Sequence, residues 1–282
     1  MEEFKSKAGI IVGGGQGVGL ATARALSGLG AELLIADLGC ATDGSGRDAS
    51  VAERAAAELC TGGGKAHALS IDAAEPEAAR QLIESAQKLL PSLDFGFYCA
   101  GFRHDRPLLR TPEQELERVL AVHMLGAIRF ARELARELVA AKREGRLVLA
   151  SSAAAFFGSA GQSALATAAG GLVGYVRTAA TELRRQGVRI NVIVPTARTR
   201  LTEGLPLFAS IREDSLTSEH VAQVVCHLLS DAARDVHGEV VGVAGGRVYA
   251  FRHAETSGAF HEGAPAQLDA IAGLWRDVTR RS

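Results

Sequence analysis

Two rhythms of apolar residues alternate along the chain: short unbroken apolar runs, and longer stretches with apolar positions three and four residues apart. Gly9–Val12, Glu32–Ala36, Lys65–Ile71, the run from Leu93, Arg146–Ala150, Val188–Val194 and Gly238–Val243 read as strands. Between them, Leu20–Leu29, Ser50–Leu59, Pro76–Leu90, a long stretch from Thr111 to about Ala141, Gln162–Arg185 and Ser218–Leu229 read as helices. Near-continuous apolar strands are buried on both faces, as a parallel sheet requires. The order predicts an α/β fold: a single Rossmann-type, doubly wound parallel sheet of about seven strands with helices on both faces. Residues 1–243 form this domain, with no repeat or Pro-rich linker to divide it, and residues 244–282 read as a C-terminal extension packed on it or on its oligomer. Thr111 is expected to cap its helix, with Pro112 at the first position.

The first apolar run leads straight into Gly13-Gly-Gly-Gln-Gly17-Val-Gly19 and then a helix. Glycines permit a tight turn and a close approach of backbone amides to a pyrophosphate, which the partial positive charge of the helix N-terminus also favours. The second strand ends at Asp37, twenty residues beyond Gly17, with no Arg or Lys directly after it. A carboxylate there accepts both ribose hydroxyls and repels a 2′-phosphate, so NAD is expected over NADP; the plainer reading is a turn cap. Asp72, at the end of the third strand, is also a good helix cap.

Charge narrows the partners. Lys plus Arg number 31 against 32 Asp plus Glu, a formal charge of -1, so nucleic acid and anionic membranes are not expected partners. The four cysteines show no Cys-x-x-Cys spacing, which argues against a metal centre or a disulfide framework and fits a cytoplasmic location. No apolar run is long enough to span a bilayer.

The stretch from Gly145 to Pro195 carries the chemistry. It contains a strand ending at Ser151-Ser152, a small-residue helix with Leu165 and Ala169, and a strand closing on Asn191-Val-Ile-Val-Pro195. With the glycine turn and the Ala100-Gly101 pair, these segments resemble the short-chain dehydrogenase/reductase family, in which a strand-end serine lies thirteen residues before a Tyr-x-x-x-Lys motif. Ser152 plus thirteen is Leu165, and Ala169 follows four residues later. On this resemblance the catalytic Tyr and Lys are replaced by Leu165 and Ala169. The family's Asn-Asn-Ala-Gly turn reads Tyr98-Cys99-Ala100-Gly101 here. Gly101-Phe-Arg-His-Asp105-Arg106, Val122-His123-Met-Leu-Gly126, Gly158-Ser-Ala-Gly161-Gln162 and Gly246-Arg-Val-Tyr-Ala-Phe-Arg252 are similar to the (3R)-hydroxyacyl-CoA dehydrogenase branch of peroxisomal multifunctional enzymes.

The resemblance implies a dinucleotide site of Gly13, Gly15, Gln16, Gly17, Val18, Gly19, Asp37, Asp72, Ala73, Ala100, Gly101 and Pro195, with Asp72 at the adenine. It implies Ser152 and His123 as vestigial or alternative catalytic residues, and 196–216 as a substrate lid carrying Leu201, Leu205, Leu207 and Phe208. It also implies oligomerisation through the helices around 111–141 and 162–185; the small residues of the latter equally suit close packing on the chain's own sheet. Tyr175 is ten residues from Leu165 with Ala179 four residues later, so it cannot recreate the motif and reads as a packing residue. Three functions are compatible with this pattern. The first is a catalytically degenerate NAD-binding subunit, the structural or regulatory partner of an active hydroxyacyl-CoA dehydrogenase homologue. The second is an NAD-dependent oxidoreductase with a non-standard proton donor such as His123, with His104 and Asp105 as further candidates. The third is an NAD-sensing interaction protein.

Overall fold

The computed structural model describes residues 3–212, 214–263 and 265–279. Residues 3–250 form one compact unit, and 251–279 belong to a second. In the first unit the strands are β1 (Ala8–Val12), β2 (Glu32–Asp37), β3 (Lys65–Ser70), β4 (Phe95–Tyr98), β5 (Gly145–Ala150), β6 (Val188–Thr196), β7 (Val240–Ala244) and β8 (Arg247–Ala250). The helices are α1 (Gly17–Gly28), α2 (Ser50–Thr61), α3 (Ala78–Leu89), α4 (Glu113–Leu120), α5 (Ala127–Ala140), α6 (Ala154–Phe157), α7 (Ser163–Leu183), α8 (Pro206–Ala209) and α9 (Ser218–Leu229). The second unit holds α10 (Leu268–Thr279), with Thr256 Oγ1 donating to the Val278 carbonyl.

The sheet order is β3-β2-β1-β4-β5-β6-β7-β8, parallel throughout except for β8. The central strands are buried because helices cover both faces: every residue of β1 and β4 is buried. On one face α1, α2 and α9 pack Leu26, Leu59, Val221 and Val225 against Ile11, Ile35, Phe97 and Val148. The order reverses between β1 and β4, where open α/β sheets place a crevice at the strands' C-terminal ends.

Three features differ from the sequence expectation. The sheet has eight strands rather than seven, because Gly245-Gly246 makes a two-residue hairpin that returns β8 antiparallel to β7, with Ala244 opposite Arg247. The expected extension from 244 therefore begins inside the sheet. Thr111 does not cap α4: its hydroxyl donates to the Pro107 carbonyl of the preceding turn, and α4 starts at Glu113 with Pro112 in extended conformation before it.

The long helix from 111 to 141 is also not continuous. A π-turn at Ala121–Gly126 separates α4 from α5. Its cause is local. The buried Tyr98 hydroxyl donates to the Val122 carbonyl at 2.6 Å, and a Cβ on Gly126 would lie 2.4 Å from the Ala73 carbonyl oxygen and 2.5 Å from the Tyr98 hydroxyl. His123 lies within this turn.

Candidate functional site

The crevice is shaped first by backbone. Gly13 sits at φ +82°, and a Cβ there would come within 2.6 Å of the Ala100 nitrogen; a Cβ on Gly19 would lie 2.0 Å from the Gly13 carbonyl oxygen. The turn, the start of α1 and the end of β4 can touch only because these residues lack side chains. Cys99 contributes a tie where the family's asparagine would: its thiol lies 3.4 Å from the Val12 carbonyl and 3.5 Å from that of Gly13, and burial pushes its pKa up, so it stays a protonated donor.

Gly13, Gln16, Gly17, Val18, Gly19, Asp37, Asp72, Ala73, Ala100, Gly101 and Pro195 all line one cavity of about 230 Å³. Gly15 does not: its N–H donates to Asp37 Oδ2 at 2.9 Å, behind the wall. Asp37 also accepts from the Gly39 N–H at 2.7 Å, so it organises the turn as well as facing the cavity. Asp72 likewise has two structural tasks. Oδ1 accepts from the Ala74 N–H, and Oδ2 is paired with Arg118 at 2.9 Å.

A second cavity of about 450 Å³ shares Cys99, Ala100, Gly101, Phe102, Ala150, Pro195, Ala197, Leu201 and Thr202 with the first. It brings together Ser152, His123, Leu165 and Ala169, which come from a strand end, the π-turn and α7. Leu165 packs against Phe102, Val119, Val122 and Ala164, and Leu172, Leu201, Leu205 and Phe208 extend the apolar wall. The Leu207 side chain lies outside the described residues. Ser152 Oγ accepts from the Ala154 N–H at 3.2 Å in the turn that leads into α6, while Ser151 Oγ donates to the Ala169 carbonyl at 3.1 Å. His104 is bonded to Glu115, and Asp105 to Arg103 and Gln162.

His123 Nε2 lies 3.2 Å from the Phe102 N–H and 3.1 Å from its carbonyl, so either tautomer finds a backbone partner. Part of the ring faces the cavity, but protein surrounds the rest, and burial pulls its pKa down from 6.5 to about 4. The imidazole is thus neutral at pH 7 and a poor proton source. Between pH 6.5 and 4 the unfolded chain holds this proton and the folded chain does not, so stability should fall as pH drops through that window. Urea denaturation across pH should show a shallower acid loss for His123→Gln than for the wild type; parallel curves would mean His123 is not the source.

Sequence reasoning missed Arg118, Thr199 and Thr202, all in the wall of the first cavity. Thr202 Oγ1 donates to the Ala197 carbonyl at 2.7 Å and accepts from the Thr199 N–H at 2.9 Å, fixing the segment after Pro195. The pattern Pro195-Thr-Ala-Arg-Thr-Arg-Leu-Thr202 was the available signal. Among the described residues no cluster of His, Cys, Asp and Glu could hold a metal ion, and no helix is long and apolar enough to cross a membrane.

The sequence pattern described as enoyl-(acyl carrier protein) reductase matches residues 12–247. Hydroxyacyl-CoA dehydrogenase ChsB1 of Mycobacterium tuberculosis is 33% identical over 257 residues, covering 87% of this chain and 80% of that protein. The peroxisomal multifunctional enzyme type 2 of Drosophila melanogaster is 29% identical over 282 residues, but only 46% of its length is spanned. The crystal structure of a short chain dehydrogenase from Mycobacterium avium superimposes with a TM-score of 0.86 at 31% identity, covering 99% of this chain and 97% of that one. With the glycine turn, sheet order and paired cavities in place, the chain belongs to the short-chain dehydrogenase/reductase family and is related to hydroxyacyl-CoA dehydrogenases.

Proposed function

We propose that this chain binds NAD, carries out no turnover by the family's usual proton transfer, and serves as structural or regulatory partner to an active hydroxyacyl-CoA dehydrogenase homologue. One observation carries the reading: the wall that holds Ser152 and His123 is completed by Leu165 and Ala169, neither of which can donate a proton or carry charge. On the family resemblance these are the Tyr and Lys positions. A neutral His123 with a pKa of about 4 does not replace them.

The family implies a nicotinamide dinucleotide, and the residues present fit one. Gly13 and Gly19, lacking side chains, let the turn, the start of α1 and the end of β4 close together, so the turn and the helix N-terminus line the cavity where amides can meet a pyrophosphate, and Asp37 faces the same cavity with oxygen lone pairs for ribose hydroxyls. When bound, the nicotinamide ring supplies a hydride acceptor or donor. Ala100 and Gly101 would flank its ribose, and Asp72 the adenine. Asp37 sets the preference for NAD. Asp37→Asn removes the negative charge and keeps one of the two oxygens that accept from the Gly15 and Gly39 amides, so the ratio of NAD to NADP affinity should fall at least tenfold, as about 1.4 kcal/mol of lost repulsion would give. An unchanged ratio would place the discrimination elsewhere.

Calorimetry with NAD and NADH, followed by a hydride-transfer assay against hydroxyacyl-CoA substrates, tests the function. Binding without turnover supports it. Turnover by the wild type overturns it, and no binding removes the cofactor from the reading. Oligomerisation through α4, α5 and α7 with a catalytically complete homologue, and a cytoplasmic location, belong to the same proposal. Co-purification of such a homologue is the expected result, and a lone homo-oligomer in cells would count against it.

A further inference from the structure

Segment 197–216 runs from the end of β6 toward α9, and one residue appears at both its base and its centre. Arg198 N–H donates to the Leu216 carbonyl at 2.7 Å, drawing the ends of the excursion together. Its guanidinium then reaches into the loop, where one amino group donates to the Phe208 carbonyl at 3.1 Å and the Ile211 carbonyl at 3.0 Å. The Phe208 carbonyl belongs to α8 and also accepts from the Ile211 N–H at 3.4 Å, while the Ile211 carbonyl lies just beyond the helix, so the guanidinium ties the end of α8 to the turn that follows it. The same guanidinium lies 5.4 Å from the centre of the Phe208 ring. Arg198 Nε is buried with no hydrogen-bond partner among the described residues.

The ring held this way is the inner face of the site. Phe208 is only 3% exposed and lines the apolar cavity with Leu201 and Leu205, while Thr199, Arg200, Leu201 and Thr202 from the same excursion line the dinucleotide cavity. We infer that Arg198 is a positioning and specificity-determining residue: a strap that fixes Phe208 as a wall of the apolar cavity and so limits the length of apolar tail the cavity admits. This rests on the proposed function and extends it by one step: the apolar cavity that opens into the dinucleotide cavity is taken as the seat of an acyl thioester, the class of substrate for which the related hydroxyacyl-CoA dehydrogenases are named. A strapped wall is already in place before ligand arrives, so a short tail meets a formed surface and a long one must displace it.

The test compares wild type with Arg198→Met, which keeps an apolar stem without donors, and with Phe208→Leu, which keeps an apolar wall without the ring. Hydrogen exchange is followed in residues 204–212, clear of those lining the dinucleotide cavity, and in the sheet, and the affinities of octanoyl-CoA, palmitoyl-CoA and NAD are measured on each full chain. Both variants should exchange faster in the loop alone, and the preference for octanoyl-CoA over palmitoyl-CoA should shrink about tenfold as the wall is freed. Affinity for NAD should stay within twofold, and Arg198→Lys should recover part of the preference. Unchanged loop exchange, faster exchange throughout the sheet, or an unchanged chain-length preference would each overturn the assignment. If the wild type binds neither thioester, the acyl reading falls and the specificity role with it, while loop exchange still reports on the strap itself.

Discussion

Leu165→Tyr and Ala169→Lys, introduced together, should give the chain NAD-dependent oxidation of a 3-hydroxyacyl-CoA well above the wild-type rate. The surrounding parts are already in one place: Ser152, Leu165 and Ala169 share a cavity wall, and that cavity runs into the one lined by the glycine turn and Asp37. A tyrosine at 165 supplies the group that exchanges a proton with the substrate oxygen, and a lysine four residues later on α7 lies one helical turn away, where its charge lowers the tyrosine pKa. Neither single variant should suffice. Tyrosine alone, in an apolar surround, holds its proton too tightly to act as a base, and lysine alone has nothing to activate. The gain of the pair over either single variant should be about 10²–10⁴-fold, the usual span of general acid–base assistance. The measurement is NADH formation at 340 nm. If the double variant binds NAD yet shows no gain, positions 165 and 169 do not limit turnover, and the apolar wall around Phe208 becomes the obstacle to examine.

Where the sequence was informative, each signal was local. A buried strand running into glycines and then a helix needs no distant partner to be recognised, and Asp37 follows from counting along the chain. The second cavity was legible for the same reason, since Ser152, Leu165 and Ala169 occur within a single strand–helix passage. What stayed hidden depends on pairs far apart in the chain. The π-turn at His123 exists because Tyr98, on another element, takes the Val122 carbonyl and Gly126 closes on Ala73. The imidazole's pKa is likewise a product of burial, so a residue that looked like a competent acid by type is a neutral one by position. Asp72 pairs with Arg118 across 46 positions, and the Arg198 strap ends on backbone carbonyls, which leave no mark on composition. The eighth strand is a different case. Gly245-Gly246 between two apolar runs was a visible hairpin signal, overridden by the expectation that the sheet ends with its last parallel strand.

Gly19→Ala should abolish NAD binding, and Gly28→Ala, in the same helix, should leave it unchanged. The two positions bracket α1 and receive the same methyl group, so helix propensity favours both variants by up to about 1 kcal/mol. Their surroundings decide otherwise. Nothing lies within 4 Å of a Cβ at Gly28, whereas at Gly19 the methyl would sit 2.0 Å from the Gly13 carbonyl oxygen, 2.8 Å from its carbon and 2.9 Å from Cys99 Sγ. Gly13 has little room to retreat, because the Ala100 backbone fills the space where a Cβ of Gly13 would stand. The added methyl must therefore lever the turn away from α1 and carry Gln16 and Gly17 with it, spoiling the amide cradle. Overpacking of this kind costs about 1–3 kcal/mol of stability, small enough for the chain to remain folded and large enough to register as a lower Tm. Calorimetry should then show no NAD binding for Gly19→Ala beside a wild-type affinity for Gly28→Ala. Equal affinities in both would mean that the close approach of α1 to the turn does not shape the dinucleotide cavity. If the wild type itself proves not to bind NAD, the Tm difference between the variants still tests the packing, and separates an error about the turn from an error about its ligand.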